Sequence, residues 1–374
     1  MKNIDKRISV LLIDESVFCR NLFTKALSDV PDIRYIGAAP NAKTGLDRFR
    51  QNNPDVMIVC ADSEEYAASD IVREAIEHNR NLGIIITTED VSRSADEVVM
   101  ALEAGAFDYV LKVSKECGDS LSEIMARRLL PKIRSFSTAL YSRRAKRLSV
   151  RKDSRVSIHP PNPEVLARVE KHATGKKTGK IRYKVEVVLV GISTGGPEAL
   201  LRLLSGIPPS FRIPIIIVIH MPRQFISSLA GSLRKRTMLQ VREARDGEFV
   251  RPGDVYLSPG DVHLKLGRDS TRRLIVRTND GPPENGCRPS ADVLFRSAAK
   301  SCPSGALAVI MTGMGEDGTR GLADLKQAGA YVLAQDEQSS IVWGMPGSAV
   351  KADVVDEIVT LDDLPGRILK ISGE

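Results

Sequence analysis

The chain has 374 residues, of which 42% are hydrophobic and 27% are charged, so it is long enough for about two globular domains. Its five cysteines are scattered and form no CxxC pair, which argues against a disulfide framework and against a zinc-binding motif. No apolar run approaches the roughly 20 residues of a membrane-spanning helix, and the polar start MKNIDK does not resemble a signal peptide. We therefore expect a cytoplasmic protein.

The first 130 residues contain four apolar runs of strand length, separated by amphipathic stretches such as SVFCRNLFTKALSDV. Short, almost continuously apolar strands with helical crossovers indicate a parallel sheet that is covered by helices on both faces. We therefore predict a doubly wound α/β domain over residues 1–130. The four runs read ISVLLID, DVMIVCAD, LGIIITTE and FDYVLKV.

The net charge of +7 is concentrated in the segment that follows this domain. Residues 132–182 contain 15 Lys and Arg but 3 Asp and Glu, a local charge of +12, which leaves −5 for the rest of the chain. Three prolines and the lack of a sustained apolar period predict a basic interdomain linker over residues 131–182. The alternative is a docking segment for an acidic partner. Because aromatic residues are sparse there, we expect no nucleic-acid partner.

The remaining residues, 183–374, repeat the alternation of apolar strands with helices and predict a second doubly wound α/β domain. In such a domain, ligands bind beyond the carboxyl ends of the parallel strands. The loops after the strands are therefore the place to look for functional residues. The predicted strands read VEVVLVG, IPIIIVIH, DVYLSPG, ALAVIMTG and AYVLAQD.

Three of these loops each present a polar residue with a role in hydrolysis. Ser193 lies in the Gly-rich turn GISTGGP, His220 follows IIIVI directly, and Asp317 lies in TGMGEDG. A serine is a poor nucleophile unless a base lies within hydrogen-bond reach, and that base needs a carboxylate that orients it. These three residues supply a nucleophile, a base and an orienting carboxylate. A phosphate-binding P-loop is disfavoured because Pro197 stands where that motif needs a lysine.

The loop that contains Asp317 also allows another interpretation. Gly313, Gly315 and Gly318 form a GxGxxG between a predicted strand and a predicted helix, with Asp336 about 20 residues further along the chain. This pattern is the fingerprint of a dinucleotide site. A dinucleotide-binding oxidoreductase therefore remains an alternative to the hydrolase.

Six ordered motifs between residues 183 and 362 resemble the catalytic domain of the chemotaxis protein-glutamate methylesterase family, CheB. The resemblance implies that Ser193, His220 and Asp317 form a catalytic triad in a Rossmann-like methylesterase domain. It also implies an oxyanion hole from the backbone N–H groups of Thr194 and Met314. The motifs are GISTGGPEALL, IHMPRQF, VYLSPGDVHL, DGPPENGCRPSADVLFRS, VIMTGMGEDGTRG and QDEQSSIVWGMPGSAV.

The resemblance further implies a substrate-side role for Arg288 and an activity: removal of methyl esters from glutamates of methyl-accepting chemoreceptors, with release of methanol. The family also deamidates particular glutamines. It needs no metal or organic cofactor in the catalytic domain. Contact with the membrane would occur through the receptors alone, and a chemotaxis histidine kinase is a further partner.

The first domain resembles a flavodoxin-like response-regulator receiver, with one departure at its centre. Asp14 and Glu15 match the acidic pair of receivers, Thr87 the hydroxyl residue after the fourth strand, and Lys112 the lysine after the fifth. The phosphoacceptor position, however, is Cys60. The usual carboxylate is therefore absent, and we expect no phosphorylation at this position.

The neighbourhood of Cys60 departs from the receiver pattern as well. The loop ADSEEYAAS lacks the MPxxDG of the family, Val113 replaces the usual proline, and Asp62 is the nearest carboxylate that could substitute. A degenerate receiver leaves a third interpretation open, a non-catalytic signalling adaptor. The complete set of Ser193, His220 and Asp317 argues against it.

Overall fold

The computed structural model describes residues 7–113, 120–152 and 184–374, and in the helix that ends at Lys152 it describes side chains as far as Thr138. The chain divides into two compact units, Met1–Leu148 and Ser149–Glu374, and each is built on a parallel sheet flanked by helices. The predicted fold class of two doubly wound α/β domains is confirmed. In the described ranges, no helix is both long and apolar enough to cross a membrane.

The first unit contains a five-stranded parallel sheet in the flavodoxin-like order β2-β1-β3-β4-β5. Strands β1, β3 and β4 are buried along their whole length, which explains their continuous apolar sequences. The elements are β1 (Ile8–Ile13), α1 (Val17–Leu27), β2 (Ile33–Ala39), α2 (Ala42–Asn52), β3 (Val56–Cys60), α3 (Ala68–His78), β4 (Gly83–Thr88), α4 (Val91–Glu103), β5 (Asp108–Leu111) and α5 (Leu121–Lys152).

Helix α5 requires a correction to the predicted domain boundary at residue 130. The helix continues through Pro131, and its buried side chains Leu129, Ile133 and Phe136 recur at helical spacing on both sides of that boundary. Phe136 packs edge-on against Phe107, with 5.1 Å between the ring centroids. Residues 131–138 therefore belong to the first unit. The sequence did not predict this because basic residues stand between the three buried apolar positions. Residues 153–182 of the predicted linker lie outside the described residues.

The second unit contains a seven-stranded parallel sheet in the order β14-β13-β12-β6-β7-β9-β8 and an antiparallel hairpin of β10 and β11. Its strands are β6 (Val187–Ile192), β7 (Ile215–Ile219), β8 (Gln240–Glu243), β9 (Asp254–Leu257), β10 (His263–Arg268), β11 (Leu274–Asn279), β12 (Ala306–Ile310), β13 (Tyr331–Gln335) and β14 (Glu357–Val359). Its helices are α6 (Gly196–Ser205), α7 (Arg223–Arg236), α8 (Ala291–Ser301), α9 (Thr319–Gln327), α10 (Gly344–Lys351) and α11 (Leu364–Ser372).

The sequence patterns did not predict β2, the edge strands β8 and β14, or the β10–β11 hairpin. Strands β2, β8 and β14 lie at sheet edges, where they are only partly buried. They therefore lack the continuous apolar run that marks a central strand of a parallel sheet. The hairpin strands are buried at only part of their positions and have neither a continuous apolar run nor a clear alternation over their six residues.

The chain reverses its direction of winding at β6, and this reversal positions the site. From β6 the chain proceeds to β7, β8 and β9 on one side and then to β12, β13 and β14 on the other. A crevice forms at the carboxyl ends of strands at such a switch point. Helix α8 packs closely behind it: a Cβ at Gly191 in β6 would lie 2.9 Å from Cβ of Ala291, and a Cβ at Gly321 in α9 would lie 2.5 Å from the carbonyl oxygen of Asp292.

Candidate active site

Ser193 and His220 are neighbours at the carboxyl edge of the sheet. Ile192 and Ile219 are paired residues at the ends of β6 and β7. Ser193 and His220, which follow them, therefore lie side by side. The N–H of His220 donates to the carbonyl oxygen of Ile192 at 3.3 Å. The two residues, which are 27 positions apart in sequence, are thus brought together by the backbone pairing of two adjacent strands.

The turn after β6 holds Ser193 by both of its backbone groups. Its N–H donates to the carbonyl of Thr312 at 3.0 Å, and its carbonyl accepts from the N–H of Gly196 at 2.7 Å. Gly195 has a φ of 75°, and a Cβ there would lie 2.9 Å from the side chain of Ile341, so this position requires glycine. The turn therefore fixes the serine relative to both β6 and β12.

Asp317 binds the imidazole of His220 from the loop after β12. Its Oδ2 lies 2.8 Å from Nε2 of His220 and also accepts from the N–H of Ala291 at 2.6 Å. Its Oδ1 accepts from the hydroxyl of Ser290 at 2.7 Å. The carboxylate is 2% exposed, so all of these bonds form away from bulk water.

The charges of this pair are set by competing effects of burial and hydrogen bonding. Burial raises the pKa of Asp317, but the hydrogen bonds from His220, Ser290 and Ala291 outweigh it and lower the pKa to about 2. Burial lowers the pKa of His220, but the hydrogen bonds with Asp317 and Cys287 outweigh it and raise the pKa to about 9. Asp317 therefore favours the imidazolium that arises when His220 takes a proton from a nucleophile.

His220 and Asp317 are in direct contact, whereas Ser193 is adjacent without a hydrogen bond. Among the described residues, no hydrogen bond joins the hydroxyl of Ser193 to His220. Because Asp317 occupies Nε2, the ring nitrogen that remains for a nucleophile is Nδ1. Catalytic hydrogen bonds are often long before substrate binds, so the arrangement is compatible with a Ser–His pair.

The loop before α8 supplies residues that the sequence did not single out. The side-chain amide of Asn285 donates to Oδ2 of Asp292 at 2.7 Å and to Oδ1 of Asp317 at 3.2 Å. Asp292 is fully buried and accepts at Oδ1 from the N–H of Gly321 at 2.6 Å. Asn285 thus bridges two buried carboxylates. Asn285, Ser290 and Asp292 all lie in the motif DGPPENGCRPSADVLFRS. Their spacing in the sequence did not predict that they contact Asp317.

The same loop places Cys287 against the catalytic base. Asn285 and Gly286 have φ angles of 52° and 74°, as a two-residue hairpin turn requires, and Glu284 and Cys287 exchange backbone hydrogen bonds of 3.0 and 2.9 Å. The sulfur of Cys287 lies 3.6 Å from Nδ1 of His220. A partly exposed thiol therefore adjoins the nitrogen that would act as the base.

The residues proposed for an oxyanion hole flank the serine. A Cβ at Gly313 would lie 2.9 Å from Cβ of Ser193, so this backbone passes directly against the nucleophile. The next residue, Met314, donates its N–H to no acceptor in the described part of the chain, and its side chain is exposed. The carbonyl of Thr194 accepts from the hydroxyl of Thr312 at 3.0 Å. The backbone N–H of Met314 is thus available to a ligand beside Ser193.

Arg288 lies at the exposed rim of the site. One guanidinium nitrogen donates to the carbonyl oxygens of Gly281 at 3.2 Å and of Asp280 at 3.4 Å. These bonds hold the charged group on the loop that carries Cys287. The side chain of Arg288 is exposed, and its substrate-side role stays a prediction.

Comparison with known proteins places this geometry in a family. Residues 188–368 match the family model described as CheB methylesterase. A protein-glutamate methylesterase/protein-glutamine glutaminase of Desulfotalea psychrophila is 37% identical over 378 residues, which cover 97% of this chain and 98% of that protein. The chain belongs to the CheB family. A protein of Trichodesmium erythraeum with the same name is 34% identical over 368 residues, which cover 98% of this chain and 99% of that protein.

The family predicted from the six motifs is therefore confirmed, and with it the assignment of this CheB-family chain to the hydrolases. Among solved structures, the methylesterase catalytic domain of Thermotoga maritima CheB is 37% identical, with a TM-score of 0.49, and the alignment covers 50% of this chain and 98% of that domain.

In the receiver-like unit of this CheB-family chain, two of the predicted pocket residues, Asp14 and Cys60, contact the buried side chain of Lys112. Nζ of Lys112 lies 2.8 Å from Oδ2 of Asp14 and 3.0 Å from the sulfur of Cys60. Burial raises the pKa of the Cys60 thiol to about 12 despite the neighbouring ammonium group. The thiol is therefore neutral and weakly nucleophilic.

Asp62 turns back into this pocket. Its Oδ2 lies 3.6 Å from Nζ of Lys112 and accepts from the N–H of Glu89 at 2.8 Å, while its Oδ1 accepts from the hydroxyl of Thr88 at 2.5 Å. The hydroxyl that donates to Asp62 is thus that of Thr88. Thr87, the residue predicted for this role, instead donates to the carbonyl of Val59 at 3.5 Å. Glu15, also predicted, accepts from Ser63 at 2.8 Å at the surface.

The bridge formed by Asn285 leads to a prediction for the CheB-family site. We expect Asn285→Gly to lower kcat by roughly 10-fold to 100-fold, because a hydrogen bond to a buried charged group contributes about 1.5–3 kcal/mol. Glycine suits the left-handed backbone at this position, so the variant removes the amide without strain. Steady-state kinetics and a thermal melt measure the two effects separately.

Arg272→Gly is the matched control for Asn285→Gly, since Arg272 also has a left-handed backbone, with a φ of 65°, but lies in the β10–β11 turn. It should retain the wild-type kcat. A wild-type kcat in Asn285→Gly would show that Asp317 needs no support from this amide.

Proposed function

We propose that this protein is a serine hydrolase that removes methyl esters from glutamate side chains of methyl-accepting chemoreceptors and deamidates particular receptor glutamines. The observation that carries the proposal is the buried contact between His220 and Asp317 beside Ser193, at the switch point of the sheet. Two relatives that align with almost the whole chain are named protein-glutamate methylesterase/protein-glutamine glutaminase, which supports the same substrate class.

In the proposed reaction, the hydroxyl oxygen of Ser193 attacks the ester carbonyl while Nδ1 of His220 takes the hydroxyl proton. Asp317 stabilises the resulting imidazolium through Nε2. The tetrahedral intermediate carries negative charge on the former carbonyl oxygen, and the N–H groups of Thr194 and Met314 would donate to that oxygen. Preorganised donors of this kind contribute about 100-fold to 1000-fold in rate each.

The intermediate then collapses, and the proton held by His220 leaves with the methoxy group as methanol. A water molecule repeats the attack on the acyl-enzyme: His220 takes its proton, and Ser193 leaves as the free hydroxyl with that proton. The products are a glutamate carboxylate and methanol. For a glutamine substrate, ammonia replaces methanol as the leaving group, and every other step is unchanged.

We assign catalysis to residues 183–374 and regulation to the receiver-like unit. The whole protein would act in the cytoplasm and would reach the membrane through receptors alone. A chemotaxis histidine kinase remains a proposed partner. The test is methanol release from receptor-bearing membranes that were methylated beforehand, with the full chain, with residues 183–374 alone and with Ser193→Ala. Release by Ser193→Ala at the wild-type rate would refute the mechanism, and an inactive fragment would refute the domain assignment.

The alternative of a dinucleotide-binding oxidoreductase has a separate test. In the GxGxxG loop, Gly313 donates to Val342 and accepts from Gly344 and Met345, which accounts for its backbone without a ligand. We therefore expect no saturable change in NADH fluorescence on titration with the protein, and no effect of Gly315→Ala on that signal. A known dehydrogenase serves as the positive control. Saturable binding that Gly315→Ala weakens would favour the oxidoreductase.

A further inference from the structure

One side chain in the active site has no role in the proposed reaction. The sulfur of Cys287 lies 3.6 Å from Nδ1 of His220, and Asp317 binds the opposite ring nitrogen at 2.8 Å. Ligand atoms of these three residues all lie within 4.8 Å of one another. Thiolate, imidazole and carboxylate groups are the usual protein ligands of zinc.

We propose that Cys287 and His220 form a binding site for Zn²⁺ that inhibits the enzyme. Zinc binds thiolate sulfur at about 2.3 Å and imidazole nitrogen at about 2.0–2.1 Å, so two such ligands at a tetrahedral angle lie about 3.5 Å apart. The observed separation is 3.6 Å. The distance between the sulfur and Nδ1 is therefore close to the one that a shared zinc ion requires.

Asp317 completes the arrangement from the far side of the ring. Histidine ligands of zinc commonly donate their other N–H to a carboxylate, which fixes the tautomer and the ring orientation. Here that carboxylate is already in place and is itself held by Ser290 and Ala291. The inhibitory ion would therefore leave the hydrogen bond between His220 and Asp317 intact.

The loop holds Cys287 in place before any metal arrives. Two backbone hydrogen bonds join Cys287 to Glu284 across the Asn285–Gly286 turn, and the carboxylate of Glu284 is ion-paired with Arg296. Such preorganisation lowers the entropic cost of binding. The soft thiolate favours zinc over Mg²⁺ or Ca²⁺, which prefer oxygen ligands.

The bound ion blocks the step that the reaction needs first. It occupies the lone pair of Nδ1, which would otherwise take the proton of Ser193. Binding needs a thiolate and a neutral imidazole, so both ligands release a proton: Cys–SH, the imidazolium of His220 and Zn²⁺ give a Cys–S–Zn–His group of charge +1 and two H⁺. Zinc in this site is an inhibitor and not a cofactor, and its removal by a chelator restores the free base.

A spectroscopic test uses Co²⁺ as a probe in place of zinc and needs no turnover. We expect the full chain, and equally its Ser193→Ala variant, to show near-ultraviolet thiolate-to-cobalt charge-transfer absorption that Zn²⁺ displaces. Cys287→Ser should lack this absorption. Cys302→Ala, which removes a buried thiol of the same unit, is the matched control and should retain it. Absence of the absorption from wild type, or its persistence in Cys287→Ser, would overturn the proposal.

A kinetic test measures methanol release in buffered Zn²⁺, with each variant compared to its own rate in chelator. Loss of an outer-shell partner costs about 10-fold to 100-fold in metal affinity, so loss of the thiolate ligand should raise the inhibitory zinc concentration by at least that factor. Cys302→Ala should behave as wild type. Equal zinc sensitivity of wild type and Cys287→Ser would refute inhibition at this site.

Discussion

Ser193→Ala is expected to lower the rate of methanol release by about 10⁴-fold to 10⁶-fold, the loss that removal of a triad member causes in other serine hydrolases. His220→Ala should cost about as much, because the serine cannot be activated without its base. Asp317→Asn should lower the rate strongly, because an amide of the same shape cannot stabilise the imidazolium and replaces one hydrogen-bond acceptor with a donor.

The decisive measurement for the triad is non-additivity. If Ser193 and His220 act as one unit, the double variant should be no slower than either single variant within about a factor of a few. Ser270→Ala, in the exposed β10–β11 turn, is the matched control and should keep the wild-type rate. Losses that multiply in the double variant would show that the two residues act independently.

The receiver-like unit is expected to accept no phosphoryl group at Cys60 from acetyl phosphate and Mg²⁺. The position offers a neutral, buried thiol in contact with Lys112, whereas acyl phosphate formation needs a carboxylate beside a cation that prefers oxygen ligands. Cys60→Asp should gain the phosphoryl group, because Asp14 and Lys112 are already placed around it. Intact mass, measured alongside the rate of methanol release, shows both outcomes.

Asp62 is the alternative phosphoryl acceptor in the receiver-like unit. Along an extended strand, a shift of two residues would place its Cα about 6–7 Å from the acceptor position. Its side chain instead reaches Lys112, Thr88 and the N–H of Glu89. A phosphoryl group on the wild-type chain that disappears in Asp62→Asn would show that the acceptor has moved.

The central strands were predictable because burial on both faces leaves a continuous apolar run, as in Val187–Ile192. The edge strands Gln240–Glu243 and Glu357–Val359 have no such run and were missed. Ser193 and His220 could be predicted because each follows a strand directly, and Asp317 because it lies in the Gly-rich loop after β12. The parallel sheet brings the ends of these strands to one edge. Asn285 could not, because its contact with Asp317 depends on a hairpin turn and on the packing of α8, which no local pattern encodes.

Close packing around α8 affects how mutations in this protein should be interpreted. Gly191 and Gly321 press from two sides on Ala291 and Asp292, the residues at the start of α8 whose backbone N–H groups donate to Asp317. Any side chain at either glycine would displace that helix start and, with it, the carboxylate. In a saturation-mutagenesis screen scored by activity, both positions would therefore resemble residues that contact substrate. Each glycine would instead act indirectly, through its contact with the start of α8. Only a substrate-binding measurement made separately from turnover would distinguish these glycines from residues that contact substrate.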